Sequence, residues 1–499
     1  MIIRHEVGVP GLKKVLILLL FILPTSLWLS CGASSPSSST QTSGLKYRAF
    51  LTNNVSAGSA SAGVYVVDAS KDVRPAVAPI SAGSTPGMML VTPNRALTLV
   101  FSGDGTQFSD NVFSIINNAN ESNAAHLTLP GITESFVVSP DSSTAYVAVP
   151  GAQVVGQSLG IIEMISLGSG AKTGEISCPP VNPANPVCIW PAGVPQGFNP
   201  PYHFLSIGNT GDRVLAFSEG PDSVADVVAV ITPSSLGTAS PTVSFVTGFD
   251  HPVAAFFTSD DTTAYLLNCG RECGGTQASI QTLDLKTNTA GPSSVVCNAG
   301  GNPTCIGTVN LVAGSVALLN GSTLFVAGTP APPQPCIGQT TAATSCGRLS
   351  IVDLSTLSVA NAAAISITDG YHTRMALAAN GQLFIGARTC TEIGTFPPPT
   401  GAEVRGCLSI YNTLSIAVGQ VPAGGVLIPP ANGDVTGIQP IATRQVVYVV
   451  QGQGVPQGGT LYIYDATTDT LEHNQNDPNN PGQINGLIGN FVDVKTVDF

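Results

Sequence analysis

Charge is scarce in this chain. Of 499 residues only 10% are Asp, Glu, Lys or Arg, with 30 acidic residues against 18 Lys and Arg. An acidic field of that kind repels phosphate backbones, which argues against nucleic acid as a partner. Histidine occurs six times and no Cys-x-x-Cys spacing occurs, so the usual zinc signatures are missing. Past residue 31 no apolar pattern keeps a 3.6-residue period for long, which argues against helical architectures. What is abundant points elsewhere. Glycine numbers 54 and proline 38, a composition dense in turns and suited to short strands.

A strand, a tight turn and a second strand recur along the chain. "MMLVTPNRALTLVFSGD" starts at Met88, "SFVVSPDSSTAYVAVPG" at Ser135, "HFLSIGNTGDRVLAFSEG" at His203 and "VAAFFTSDDTTAYLLNCG" at Val253. The pattern returns from Val316, Arg374 and Gly437. After a variable loop each unit adds a third strand, such as "GIIEMISLG" or "GRLSIVDLST", and usually a weaker fourth. Four short antiparallel strands at a period of about 50 residues mark a β-propeller blade. One such sheet cannot cover its own faces, whereas stacking face to face around an axis buries them.

"AFLTNN…GVYVVDAS" and "SPDSSTAYVAV…GIIEMISL" resemble the YVTN-type, YncE-like β-propeller repeat, with its proline–acid turn, aromatic second strand and acid-terminated third strand. The resemblance spans residues 47–499 and implies a fold more than an activity. Tyr47 begins the second strand of a unit with no first strand before it, and residues 490–499 form a first strand with nothing after it. The expectation is an all-β, single propeller of eight blades, one of them closed by the N- and C-terminal strands together. Seven blades is the count if one irregular unit is a loop excursion.

The N-terminal residues are an address rather than fold. Arg4, Lys13 and Lys14 precede the apolar run 15–23, which is short for a spanning helix. "SLWLSCG" then resembles a bacterial lipoprotein signal, in which Cys31 becomes the lipid-bearing residue; an ordinary secretory signal cleaved nearby is the other reading. The domains expected are a signal over 1–30, a Ser-rich tether over 31–45 with a reach of roughly 20 Å, and the propeller over 46–499. Without residues 1–30, 15 Lys and Arg face 29 acidic residues, a net charge of −14. The lipoprotein resemblance, with Gly32 after the cysteine, implies the outer membrane.

Eleven cysteines occur. With Cys31 lipidated, ten remain in neighbouring couples: Cys178/Cys188, Cys269/Cys273, Cys297/Cys305, Cys336/Cys346 and Cys390/Cys407. In an exported protein they read as disulfides, and metal ligation is the alternative. Cys269/Cys273, Cys336/Cys346 and Cys390/Cys407 lie between second and third strands. Cys178/Cys188 and Cys297/Cys305 are expected between a fourth strand and the next blade. Both loop types emerge on one face, leaving the other with tight turns such as "SPDSS" and "NTGDR".

Catalytic signatures are weak. "GQSLG" places Ser158 in a G-x-S-x-G pattern, but in a loop entering a strand rather than at a strand-to-helix elbow. The Gly-rich stretch 452–459 lacks a P-loop lysine, and the carbonyl-rich stretch 474–486 lacks Ca²⁺-loop spacing. Quinone-cofactor propellers use Trp-rich blades, and past the signal only Trp190 remains. His203, His251 and His372, with Arg374, each lie near the start of a first strand and form a candidate channel-mouth ligand site for a metal or an anion. The bland reading is three unrelated loop histidines, one residue out of step with each other. No catalytic residue, metal or cofactor is assigned. The function expected is a lipid-anchored envelope scaffold that binds a protein, peptide or glycan through its loop-rich face. The alternative is a lactonase-like hydrolase using the channel-mouth His and Arg.

Overall fold

Three kinds of strand recur, and burial tells them apart. Pro86–Val91, Tyr202–Ile207 and Pro252–Phe257 bury a residue at intervals and half-expose the rest. Arg48–Asn53, Gly63–Asp68 and Val214–Ser218 are buried along their whole length. Ser122–Thr128 and the start of Ala171–Ile176 lie largely open. Sheets standing on edge around an axis produce this gradient. The inner strand faces a channel, the middle strands are covered on both sides by neighbouring sheets, and the outer strand meets solvent.

The computed structural model describes residues 42–54, 61–103, 110–152, 160–178, 187–189, 201–218, 226–233, 241–297, 305–336, 345–360, 365–390, 406–414, 426–429, 433–452, 459–472, 482–484 and 487–498. Cys31, Ser158, Trp190 and most of the stretch 474–486 lie outside them.

Eight antiparallel sheets form the blades of a β-propeller. Blade 1 joins the two ends of the chain: Phe491–Thr496 is its inner strand, followed outward by Arg48–Asn53 and Gly63–Asp68. Blade 2 starts at Pro86–Val91, blade 3 at Ser135–Val138, blade 4 at Tyr202–Ile207 and blade 5 at Pro252–Phe257. Blades 6, 7 and 8 start at Val316–Asn320, Tyr371–Leu377 and Asp434–Ile441. Each interface between consecutive blades has its own apolar cluster. Phe113 meets Phe136 edge-on at 5.2 Å between blades 2 and 3. Phe384 meets Tyr464 at 6.2 Å between blades 7 and 8. The clusters continue through 8-to-1 and 1-to-2, so the ring is closed. Near the axis the approach is tight: a Cβ on Gly437 of blade 8 would lie 3.1 Å from the Asp493 Cα of blade 1.

The repeated turns explain the repeated polar residues. Thr92, Ser139 and Thr258 donate their hydroxyls to Asn94, Asp141 and Asp260 two residues on. Those side chains in turn accept the N–H of Ala96, Ser143 and Thr262. The Ser139 and Thr258 hydroxyls lead the hydrogen bonds that hold the Asp141 and Asp260 carboxyls below their ordinary values. At the third-to-fourth turn, Asp68, Asp353 and Asp465 cap the N–H and hydroxyl of Ser70, Ser355 and Thr467. These are Asx turns, and they account for the acid that ends so many third strands.

A β-bulge recurs where inner strands pair with second strands. Register shifts lie between Pro86 and Met89, Tyr202 and Phe204, Pro252 and Ala254, His372 and Arg374, and Val435 and Gly437. Blade 1 has the corresponding irregularity between Leu51 and Asn53. A bulge adds an unpaired residue and re-aims the side chains around it. It comes near the start of the inner strand, at the face where second-to-third connections emerge.

All ten cysteines beyond Cys31 form the expected couples, with S–S distances of 1.93–1.99 Å. Cys178 and Cys188 lie between a fourth strand and the next blade as expected, and one couple, Cys297 and Cys305, sits differently. Cys297 and Cys305 pair within a two-stranded hairpin that interrupts the fourth strand of blade 5, between Thr289–Ala290 and Thr308–Asn310. Both pieces pair with Ser279–Asp284, so the hairpin projects from the blade's outer edge rather than joining two blades. Cys188 lies on Val187–Ile189, which adds a parallel fifth strand to the outside of blade 4. Its bond to Cys178 therefore links the end of blade 3 to the periphery of the next blade.

Candidate functional site

At the face where the inner strands begin, the blades enclose a cavity of about 680 Å³. All eight contribute to its wall, from Val492 of blade 1 to Thr436 of blade 8. The bulges decide much of what it displays, because Met88, Val253, Thr373, Thr436 and Val492 fall within the register shifts and line the wall. Arg374 lines it too, with Nε donating to the Thr436 carbonyl at 2.9 Å and Nη1 to the Thr373 carbonyl at 3.1 Å. Arg388 reaches the same wall from the end of its second strand, directly opposite Tyr371 in register.

The histidines proposed with Arg374 have separate surroundings. His203 bonds through Nδ1 to Glu134 Oε2 at 2.9 Å, and that glutamate lines the cavity. His372 is 1% exposed, its Nε2 N–H donating to the Thr368 carbonyl at 3.1 Å, and burial pushes its pKa down to about 4. It is a neutral core residue at physiological pH. His251 is buried in a left-handed backbone conformation (φ 56°). Its Nδ1 lies 3.3 Å from Asp250 Oδ1 and 3.6 Å from Asp226 Oδ1. The ligand atoms of Asp226, Asp250 and His251 come within 4.8 Å of one another, and these are donor types that hold metal ions. Asp250 also accepts the N–H of Thr276 and of Gln277 and the Thr276 hydroxyl. Against burial, those donors hold its carboxyl below the ordinary value. Asp250 therefore anchors the loop that follows Cys273.

Likeness to other proteins stops at the fold. No protein-family profile matches the chain, and no curated protein matches it. Among solved structures, the dihydro-heme d1 dehydrogenase NirN in complex with DHE is 13% identical with a TM-score of 0.54, covering 93% of this chain and 78% of that one. The β-propeller domain of Myceliophteria thermophila Cps50 (Swd1) is 10% identical with a TM-score of 0.44, covering 73% of this chain and 93% of that one. At 13% identity the likeness to the dehydrogenase is one of architecture.

A second cavity of about 340 Å³ lies beside the Cys269–Cys273 loop. The one-turn 3₁₀ segment Gly270–Cys273 is pinned by Cys269–Cys273 and turns Glu272 into it. Glu272 Oε2 accepts the Thr329 N–H at 3.0 Å, and burial pushes its pKa up to about 7. A raised carboxyl favours folding while protonated, and that contribution falls as pH rises from the ordinary value of 4.5 through about 7. Glu272→Gln is therefore expected to leave stability unchanged near about pH 4.5 and to raise it by about 2–3 kcal/mol above about pH 8. Urea midpoints at the two pH values check this, and equal gains at both would contradict it.

Sequence reading passed over Glu134, Arg388 and Glu272. Two of them were accessible in part: Glu134 precedes a first strand as His251 does, and Arg388 ends the "QLFIGAR" second strand. In a chain with so little charge, a charge at a strand terminus is itself a signal.

Proposed function

We propose that this protein is an exported, YVTN-type propeller, anchored by lipid on Cys31 to the outer membrane, that captures a protein, peptide or glycan on its loop-bearing face. The carrying observation is asymmetry. The 680 Å³ cavity and the disulfide-stapled loops at Cys269–Cys273, Cys336–Cys346 and Cys390–Cys407 belong to the same end of the strands. Rigid scaffolds concentrate binding where their long loops emerge. Five disulfides fit an oxidising, extracytoplasmic compartment. Among the described residues no helix is long and apolar enough to cross a membrane. The hydrolase alternative is not favoured, because His372 is committed to the core and His203 and His251 to different carboxylates.

Shortening the Cys336–Cys346 and Cys390–Cys407 loops together is expected to abolish capture of the envelope partner while the ring stays folded. Cross-linking in intact cells followed by pull-down reads this, and undiminished capture by the folded variant would refute it. Anchoring is tested apart from binding. Cys31→Ser is expected to move the protein from the membrane fraction to the soluble fraction, and unchanged membrane association would count against lipidation.

A further inference from the structure

The channel mouth carries opposite charges on facing walls. In a closed ring of eight blades, blades 3 and 7 stand four places apart and so across the axis from each other. Blade 7 supplies Arg374 and Arg388 to the cavity, and blade 3 supplies Glu134. Arg374 is held by two backbone carbonyls, which fix its guanidinium without neutralising it. Among the described residues the Arg388 side chain has no hydrogen-bond or ion-pair partner. In a protein of net charge −12, two arginines on one cavity wall make a local positive field in a negative surround. The Glu134 side chain is 50% exposed, and its bond to His203 leaves carboxylate lone pairs free to accept. Between these poles the wall carries apolar Met88, Phe101, Phe204, Val253 and Val316 among Thr and Ser side chains.

A guanidinium presents a planar fork that matches a carboxylate, and a half-exposed glutamate accepts from an ammonium group. The ligand that fits carries a carboxylate at one end, an ammonium at the other and apolar groups between. We propose that the channel mouth binds a short apolar peptide with both termini free, its carboxylate on Arg374 and Arg388 and its ammonium on Glu134. This deepens the loop-face reading and rests on it, by naming the ligand class for the centre of that face. The cavity volume lies in the range of sites that enclose small ligands. A neutral glycan would offer hydroxyls to both poles but no opposite charge to either.

The test is calorimetry on the folded protein with leucyl-phenylalanyl-leucine and with its N-acetylated and C-amidated forms. The free tripeptide is expected to bind, and each cap to weaken binding roughly tenfold or more. In Arg388→Gln the free peptide is expected to weaken and amidation to lose its effect; in Glu134→Gln the same holds for acetylation. Near-UV circular dichroism confirms that both variants keep the native fold. Equal binding of free and capped peptides would overturn the proposal, as would no binding of any of them to the wild-type protein. Sensitivity to amidation alone would overturn the peptide assignment and leave only an anion site. Partner capture that still depends on the stapled loops, with no tripeptide binding, would sink this inference and spare the loop-face reading.

Discussion

A chain stopped at Gly489 is expected to lose the folded ring rather than fray at one end. The missing residues include Phe491–Thr496, the inner strand of blade 1, whose Leu51↔Val494 and Phe50↔Lys495 pairings close the sheet. Phe491, Val494 and Val497 are at most 2% exposed. Burial of that kind contributes about 1.5–3 kcal/mol for each large side chain, so their loss costs about 5–9 kcal/mol. Native domains hold only about 5–15 kcal/mol in total. The strand also serves both neighbours: Phe491 packs edge-on against Tyr65 at 5.8 Å in the cluster shared with blade 8. Asp493 accepts the Met89 N–H of blade 2 at 3.0 Å. Without it, Arg48–Asn53 becomes an exposed edge in the middle of the ring, a template for association between chains. Light scattering and thermal melting of the truncated protein measure this. A monomeric truncation that melts with the full-length chain would show that blade 1 closes in some other way. Adding the missing segment as a synthetic peptide is expected to restore part of the soluble fraction.

The second large effect is expected at Arg48. This arginine ties three parts of the closure together. Nε and Nη2 grip Asp498 at 2.8 and 2.6 Å, and Nη1 reaches Glu121 at 2.9 Å and the Asn118 carbonyl at 2.6 Å. Its side chain is 11% exposed and that of Glu121 only 4%. The Asp498 bond, against burial, leads the forces that raise its already high pKa, so the guanidinium stays charged. Arg48→Met leaves the Glu121 carboxylate buried without its cation. Breaking a buried pair from one side costs about 3–5 kcal/mol, mostly the penalty on the group left behind. The double variant Arg48→Met/Glu121→Gln is expected to recover part of that loss, because the stranded charge is gone. Urea midpoints of the two variants decide it. A single-variant loss below about 1 kcal/mol would mean that the network is no stronger than a surface pair.

The propeller was readable because its signal is repeated. A strand pattern that returns seven times leaves little freedom, and Phe491–Thr496 could be matched to Arg48–Asn53 because each lacked what the other offered. The hairpin at Cys297–Cys305 was misplaced for a physical reason. The fourth strand it interrupts survives as pieces of two and three residues, too short for any alternation to show. The channel mouth was readable only in part, since period-two reasoning puts His372 and Arg374 on one face of their strand. The bulge between them sends His372 into the core and Arg374 to the cavity. The same kind of shift surrounds His203 and lies just after His251, so no uniform alignment of the histidines existed to be found.

Those bulges also separate two demands that most sites must reconcile. A bulged residue stands off the hydrogen-bonded ladder, so its identity is not tied to strand pairing. Met88, Val253, Thr373, Thr436 and Val492 occupy such places on five different blades. Met88 and Val253 also pack against the apolar clusters between blades, whereas exchanging Thr373, Thr436 and Val492 changes the lining of the channel while those clusters stay as they are. Selectivity can therefore drift through evolution, or be redesigned in a library over Thr373, Thr436 and Val492, without the fold having to be rebuilt each time.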